Sequence, residues 1–536
     1  MKILTTHKND SSIAFEFVIG VTGHRDNLSS DATELKAQIA KVVTDIQARF
    51  ANLPVRVVTG LAEGTDMLAT QVALDLGMQV TAVLPMPRAA YEEDFEGSAL
   101  AEFKKLADDS RVQVVELPVA NDGKLSSLKK PSARIAQYAQ LKDYLVRRSN
   151  ILLALWDGKM IEGKGGTSDV LSGYLSGHAK HVTPARVTDR TMGFVDCGDL
   201  AIWIPTPRRS DPEATAKSEP KCLISDSSGM TFIERDFIPD QFVDRWSGFD
   251  AYAKDRHSDK AAQIDAYPLA MEGDSSISAD ARAIDAEFIR ADQLAMANQQ
   301  FSDLLFKGFG LIAGGMGLFF LIYAKLAAMK IYLVIYIALF LAGYILFKIG
   351  GKKHWFGHHL AYRALAETMR VQFFLLISGA GKDFSTRRVL SITSVDRFKR
   401  FEWLQDAVRC TEPLTYDGHA SDESRLAQVS ERWIDDQAGY FSRKLKSLHT
   451  QHGRLEIIKA GLLLGSVAGA LALIFFKKTL LHLDMIGYDG KAWLVFMMGL
   501  LPLWLAVWEL YQGKMATREL LWQYANQRRY FAAAKQ

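Results

Sequence analysis

The chain is predicted to fold as an α/β domain, a doubly wound parallel sheet, followed by an α-helical membrane domain with four transmembrane helices. Short apolar runs alternate with helical patterns over roughly the first 210 residues. Glycine- and threonine-rich loops directly follow several of these runs. Four long apolar runs without charged residues occupy the second half. A chain of 536 residues is long enough for two or more such domains.

The alternation of strands and helices is typical of a parallel sheet covered by helices on both faces. Asp31 and Glu34 have the spacing of a helix capping box, and a second helix is expected to stop at Gly77. Helices are predicted to follow the first and second strands and to precede the fifth. The predicted strands are 15–19, 55–59, 79–84, 112–117, 151–156 and 200–204.

Three loops are expected at the carboxyl ends of these strands, where doubly wound sheets bind their ligands. Glycines let a backbone approach a phosphate closely, and helix amino termini present free N–H groups to anions. The candidate ligand-binding residues are Gly20, Thr22, Gly23, His24 and Arg25 in the first loop, Gly60, Glu63, Gly64, Thr65 and Asp66 in the second, and Trp156, Asp157, Gly158, Gly165, Gly166, Thr167 and Ser168 in the third.

The side chains in these loops suit a nucleotide-type ligand. Arg25 can pair with a phosphate in a bidentate way, Asp66 or Asp157 can accept from ribose hydroxyls, and Trp156 can stack on a base. Structural roles remain open for each: turns for the glycines, helix caps for the threonines and Asp66, a surface position for His24 and a core position for Trp156. No catalytic or metal-binding residue and no cofactor beyond a nucleotide-derived ligand is predicted.

GVTGHR, GLAEGTDMLA and WDG with GGTSDVL resemble the SLOG superfamily of Rossmann-like domains, which includes the LOG enzymes and the DNA-processing protein A family. The resemblance covers roughly residues 13–205 and implies a nucleotide or nucleotide-derivative pocket in the three loops. The catalytic branch carries a PGGxGTxxE pattern. In this chain the Pro-Gly-Gly start is absent and Val170 stands at the glutamate position, although Glu63 and Asp169 are nearby carboxylates. This departure favours a sensor over an enzyme.

The membrane domain is expected to hold spans at about 308–325, 331–348, 460–476 and 492–511, since a span needs about twenty mostly apolar residues. Each pair of spans is flanked by helical patterns, so the order helix–span–span–helix occurs twice. Gly310 and Gly314 form a GxxxG motif. Packing between subunits or between hairpins is one interpretation of these glycines, and a flexible or kinkable helix is the other.

The paired spans, with YRALAETMRVQFFL after the first pair and RWIDDQAGYFSRKL before the second, resemble the SLATT family of two-helix membrane modules. The match covers roughly 285–536. The family implies an effector in the bacterial inner membrane that forms a homo-oligomer and perturbs the bilayer when its partner domain senses a ligand.

The distribution of charges and cysteines indicates on which side of the membrane the parts of the chain lie. The amino terminus lacks an apolar signal region, and Lys and Arg are concentrated outside the two short loops between spans, so both termini are expected in the cytoplasm. The three cysteines lie far apart, which indicates reduced thiols and no zinc site. A net charge of +3 gives no reason to expect nucleic acid as a partner.

The predicted organisation is a nucleotide-binding domain at 1–210, an insertion and linker at 211–285, a first helix–span–span–helix module at 286–380, a cytoplasmic connection at 381–430 and a second module at 431–536. The expected function is a membrane effector that senses a nucleotide-derived signal and permeabilises the membrane in antiphage defence. The alternative is a membrane-tethered enzyme that cleaves a nucleotide.

Overall fold

The computed structural model describes residues 15–26, 32–120, 125–159, 166–176, 199–210, 219–225, 232–257, 264–265, 267–271, 277–379, 402–411, 423–485, 488–515 and 517–535. The chain divides into two compact units. The first, called the sheet unit, comprises Met1–Gln293 and Ala361–Ala420. The second, called the helical unit, comprises Leu294–Leu360 and Ser421–Gln536.

An eight-stranded sheet forms the centre of the sheet unit, in the order β4-β3-β2-β1-β5-β6-β7-β8. The first six strands are parallel, and β7 and β8 are antiparallel additions at one side. Strands β5 and β6 are buried at every position, as expected for a parallel sheet covered on both faces. The strands are β1 (Phe17–Gly23), β2 (Val55–Thr59), β3 (Gln79–Leu84), β4 (Val112–Glu116), β5 (Ile151–Trp156), β6 (Leu200–Pro205), β7 (Lys221–Ser225) and β8 (Phe232–Arg235).

Among the described residues up to 255, seven α-helices cover or border the sheet. Their apolar positions face it: Leu35, Ile39 and Ile46 of the first helix are all buried. The helices are α1 (Ala32–Gln47), α2 (Thr65–Asp75), α3 (Arg88–Tyr91), α4 (Gly97–Ala107), α5 (Pro131–Arg148), α6 (Thr167–Ser176) and α7 (Asp240–Asp255). The predicted doubly wound α/β fold is confirmed.

The segment expected to be an insertion and linker contributes to the sheet unit. Strands β7 and β8 extend the sheet, and α7 buries Phe242, Trp246 and Phe249. The Trp246 ring lies edge-on to Phe17 of β1, with their centroids 5.3 Å apart. The apolar residues of α7 are spaced three or four apart among charged ones, so they form one buried face although the segment as a whole is polar.

A short helix from the expected cytoplasmic connection, α11 (Trp403–Cys410), is entirely buried within the sheet unit. Arg245 of α7 donates two hydrogen bonds of 2.6 Å to Asp406, and Arg409 donates two of 2.8 Å to Asp199. Asp199 directly precedes β6, so these pairs lie at the amino ends of the strands, opposite the predicted ligand rim. Such buried charges are tolerated only when they are fully paired.

The remaining helices are α8 (Ala279–Lys325), α9 (Lys330–Lys353), α10 (Trp355–Ile377), α12 (Glu423–Val429), α13 (Asp436–Leu481), α14 (Gly490–Met515) and α15 (Thr517–Ala534). Among the described residues, four helices are long and apolar enough to cross a membrane. They correspond to the four predicted spans, and large apolar side chains such as Ile337 and Phe340 are more than half exposed. Such surfaces suit the hydrocarbon of a bilayer, so the chain is a membrane protein.

Glycines bring the first and fourth spans together within the helical unit. A Cβ atom built on Gly317 would lie 2.1 Å from Leu503 Cδ2, and one on Gly314 would lie 3.2 Å from the Trp504 ring. On the fourth span, a Cβ on Gly499 would lie 2.8 Å from Leu321. Small residues therefore permit close packing between the two hairpins, which was one of the two interpretations of the glycine-rich span.

Candidate functional site

The candidate site lies where the strand order of the sheet reverses. The chain runs outward from β1 to β4 and then returns to place β5 on the other side of β1. The loops that leave β1 and β5 diverge, and this crevice is where open α/β sheets bind ligands. His24 follows β1 and Asp157 follows β5, and their side chains meet there, with Nε2 and Oδ1 3.2 Å apart.

His24 is buried and neutral at this position. Desolvation is the main cause that lowers its pKa, and the nearby Arg208 guanidinium lowers the pKa further. The Asp157 backbone N–H donates to His24 Nε2 over 3.1 Å. A ring nitrogen that accepts this bond cannot also donate to the Asp157 carboxylate, so the close carboxylate approach is not an ion pair. The alternative of a surface histidine is wrong, since His24 is 6% exposed.

Asp157 is held ionised at the same point. Burial opposes its ionisation, but the Lys159 N–H, which donates to it, and the Arg208 guanidinium lower its pKa. Arg208 Nε lies 2.9 Å from Asp157 Oδ2, although its N–H is not aligned for a hydrogen bond. The Arg208 side chain is about a quarter exposed, and the sequence did not single it out. It therefore adds a cation beside the crevice.

The start of α2 is fixed to β1. Gly64 has φ +90°, and a Cβ atom there would lie 2.4 Å from the Arg25 carbonyl oxygen. The Thr65 N–H and hydroxyl both donate to the His24 carbonyl, and the Met67 N–H donates to Ala62. Thr65 is fully buried. Its hydroxyl thus ties two loops together, and this helix terminus offers few N–H groups to an anion.

Asp66 is a buried carboxylate with one unused oxygen. Its Oδ2 accepts a long 3.4 Å bond from the Ala62 N–H, whereas Oδ1 receives no hydrogen bond from any described residue. Desolvation raises its pKa to about 7, and the Ala62 N–H, Thr59, Arg25 and Gly23 offset only part of that effect. Buried acceptors are rarely left without a donor in native proteins. Asp66 Oδ1 is therefore the atom in this crevice that most needs a ligand donor.

Arg25 is exposed and held from outside its own loop. Its Nη2 donates to the Tyr138 hydroxyl over 2.9 Å, and the guanidinium lies over the Tyr138 ring at 5.2 Å. The Tyr138 hydroxyl in turn donates to Asp94, which also accepts a 2.6 Å bond from Arg134. This chain of contacts places a positive charge at the rim without neutralising it by a direct carboxylate partner.

The start of α6 follows the third predicted loop. A Cβ atom on Gly166 would meet no atom of a described residue within 4 Å, and Thr167 and Ser168 follow with buried side chains. Lys142 of α5 donates to Asp169 over 2.6 Å in the first turn. Val170 is packed in the core of the sheet, so its position offers no general acid or base. Gly165 lies outside the described residues.

Several predicted site residues have structural roles. The first strand extends through Gly23, so Gly20, Thr22 and Gly23 lie in β1 and not in the expected loop. Cβ atoms on Gly20 and Gly23 would each lie 1.9 Å from a side-chain oxygen, of Ser149 and Thr65 respectively. These two glycines permit close packing of neighbouring elements against the strand.

The remaining positions divide between core and rim. Trp156 is 5% exposed, its ring centroid is 5.7 Å from that of Trp203, and its Nε1 donates to the Lys159 carbonyl. Trp156 therefore has the core position that was the alternative to stacking on a base. A Cβ on Gly60 would lie 2.8 Å from Leu141, and Gly158 has φ +82° beside Trp203. Glu63 is exposed on the rim.

Sequence reasoning missed the contributions of α5. Tyr138 and Lys142 are four residues apart, so they lie on one face of this helix and contact Arg25 and Asp169 respectively. The spacing of these two residues can be read from the sequence, but it does not show that this face of α5 contacts the loops at the carboxyl ends of the strands. No cluster of three metal-ligating side chains occurs within the described ranges.

No protein-family model matches this chain, and no curated protein matches it either. The resemblances to the SLOG superfamily and the SLATT family therefore stay predictions that rest on the motifs. The fold nevertheless places a buried acceptor, Asp66, two cations, Arg25 and Arg208, and the start of α6 at the carboxyl ends of the parallel strands.

Proposed function

We propose that the sheet unit is a sensor for a nucleotide-derived molecule and that the helical unit is its membrane effector. The observation that supports this most directly is Asp66 Oδ1, a buried acceptor at the switch point without a donor among the described residues. A ribose hydroxyl would supply that donor, and carboxylates commonly hold ribose in doubly wound folds.

The anionic part of such a ligand suits the start of α6. The helix dipole favours a phosphate there, and the exposed Arg25 would add a charge-assisted bond. One ligand that carries both hydroxyl donors and phosphate would satisfy both ends of the crevice. Binding would then favour one packing arrangement of the spans, to the extent that the two arrangements differ in affinity for the ligand.

The output of this sensor is proposed to be permeabilisation of a bacterial inner membrane by a homo-oligomer, with both termini in the cytoplasm, as part of antiphage defence. The four spans and the glycine-mediated packing of Gly314 and Gly317 are compatible with it, because helices in close contact can exchange one packing arrangement for another. The defence setting rests on the resemblances alone.

The test uses the full chain in liposomes loaded with a self-quenching dye. NAD, ADP-ribose and a cyclic dinucleotide serve as probes for binding and for leakage. Arg25→Ala is expected to weaken binding of an active probe roughly 10- to 100-fold, as for loss of a charged hydrogen bond. Arg49→Ala is the matched control, because Arg49 is an exposed arginine two residues after the end of α1. Equal binding by both variants, or ligand-independent leakage, would refute the proposal.

A membrane-tethered, nucleotide-cleaving enzyme is the second candidate, favoured by one observation. The pKa of Asp66 near 7 is suited to general acid or base catalysis at neutral pH. Release of free base from NAD or ADP-ribose by the full chain, abolished in Asp66→Asn, would establish it. A sensor would bind the same probe and return it intact.

A further inference from the structure

The second span ends in an abrupt turn that displays lysines. Helix α9 ends at Lys353, His354 adopts the left-handed conformation with φ +50°, and α10 begins directly at Trp355. Because a left-handed residue stops a helix, the helix is interrupted within two residues of Lys352 and Lys353. Both lysine side chains are exposed.

Aromatic rings mark the same level of the helical unit. Trp355 stacks on Phe301 with the ring centroids 5.3 Å apart, and Phe356 lies edge-on to Phe306 at 6.0 Å. Gly350 packs against Leu305 at this height of the hairpin. Tryptophan is enriched where a membrane meets water. The aromatic contacts thus place the headgroup region here independently of the lysine count.

Four lysines surround this level: Lys307, Lys348, Lys352 and Lys353. None of them forms an ion pair with a described residue, and Lys348 instead lies 5.6 Å from the Tyr344 ring, with its stem along the span. The acidic group nearest in sequence is Asp303, one helical turn before Lys307. On this hairpin, four lysines against one aspartate leave a cationic end.

In the second hairpin, the lysine at the start of the first of its two spans is paired with carboxylates. Lys459, at the start of the third span, donates to Glu456 over 2.9 Å and to Glu509 of the fourth span over 2.5 Å. Its charge is therefore satisfied within the protein. The first hairpin leaves its lysines available to an external anion.

We propose that the end of the second span, with Lys348, Lys352 and Lys353 around the His354 turn, binds the headgroup of an anionic phospholipid such as phosphatidylglycerol. A lipid fits this surface better than free phosphate because Phe347 and Phe356, 63% and 41% exposed, offer apolar contact beside the lysines. Clusters of basic residues directly next to a span attract anionic headgroups, and each lysine contributes measurably.

The test measures binding of phosphatidylglycerol and phosphatidylcholine to the full chain in detergent by native mass spectrometry. Lys352→Gln/Lys353→Gln should lower the preference for phosphatidylglycerol roughly 30-fold. Lys325→Gln/Lys330→Gln, at the other end of the first hairpin, removes the same charge and should leave the preference unchanged. Lys352→Arg/Lys353→Arg should retain it, which excludes a folding defect.

Three outcomes would overturn the proposal. The first is equal binding of both lipids by the native chain. The second is an equal loss of the preference in the two glutamine variants, which would show that only the net charge of the protein matters. Inorganic phosphate at millimolar concentration, with ionic strength matched by chloride, could displace the lipid fully, which would indicate a simple ion site. Retention of phosphatidylglycerol against phosphate, lost only in Lys352→Gln/Lys353→Gln, supports a lipid site.

Discussion

Replacement of Asp66 by asparagine should remove a pH dependence from the stability of the sheet unit. The folded-state pKa of Asp66 is about 7, against an ordinary value of 3.8. Because folding raises the pKa, the folded chain binds a proton that the unfolded chain has already lost between these two values. Stability contributed by protonated Asp66 is therefore fully present below about pH 4 and is lost as the pH rises through about 7.

The magnitude follows from the slope of this linkage. One proton difference changes the free energy of unfolding by about 1.4 kcal/mol for each pH unit, and this slope halves near pH 7 where the folded carboxyl titrates. About 2 kcal/mol is therefore lost between about pH 5 and pH 7. The Asp66→Asn variant has no charge to desolvate and should not show this loss. The lowered pKa of His24 affects the native chain and the variant alike, so the difference between their profiles isolates Asp66. Asp45→Asn, on the exposed face of α1, should follow the native profile.

Hydrogen exchange of β1 and β2 peptides in the full chain, corrected for the intrinsic rate at each pH, gives the free energy of opening. The native chain and Asp45→Asn should lose protection in parallel, and Asp66→Asn should not. Parallel profiles for all three proteins would show that Asp66 is ionised normally, and the argument for an unsatisfied carboxyl in the crevice would fail.

Two further predictions concern packing in the sheet unit. Gly64→Ala should destabilise the start of α2 by about 3 kcal/mol or more, because the φ of +90° and the 2.4 Å distance to a carbonyl oxygen both oppose a Cβ atom. Gly77→Ala is the control: Gly77 has φ +75° but no neighbouring atom within 4 Å among the described residues, so the loss in the same exchange experiment should be only about 1–2 kcal/mol. Asp406→Ala should cost about 3–5 kcal/mol by leaving Arg245 buried and unpaired, whereas Arg245→Met/Asp406→Leu should cost much less; equal losses in denaturant titrations would contradict this.

The parallel strands could be predicted because their signal is local. Runs such as 151–156 are apolar at every position and are followed by Asp157 and Gly158, and the structure forms a strand there with the same bounds. The first strand was predicted too short because Thr22 and Gly23 are typical of loops. Pairing with β5 as far as Leu155 keeps them in the sheet instead.

The candidate site could be predicted only in part. The loops that meet at the rim were visible as motifs, since each follows a strand directly. The partners that hold the side chains were not, because they lie far away in sequence: Tyr138 is 113 residues from Arg25. Contacts of this kind depend on how helices pack after the sheet has formed, and no periodicity encodes them.

The same limit explains why α11 was missed. Its eight residues have no strand or loop signal nearby, and Asp406 is 161 residues from Arg245. A polar connection between two membrane modules gives no indication that it returns to complete a domain begun several hundred residues earlier.

The return of α11 has a consequence for how the protein is made and dissected. During translation the sheet can form early, but the hydrogen bonds that join Arg245, Asp199 and Asn150 to α11 cannot form until the ribosome has also delivered the first two spans and the segment beyond them. A fragment that stops before residue 279 would expose the same groups permanently. Excising the hairpin and joining residue 293 to residue 361 through a short flexible linker keeps both sides of every one of these pairs, and is the sounder way to obtain the sheet unit without its membrane spans.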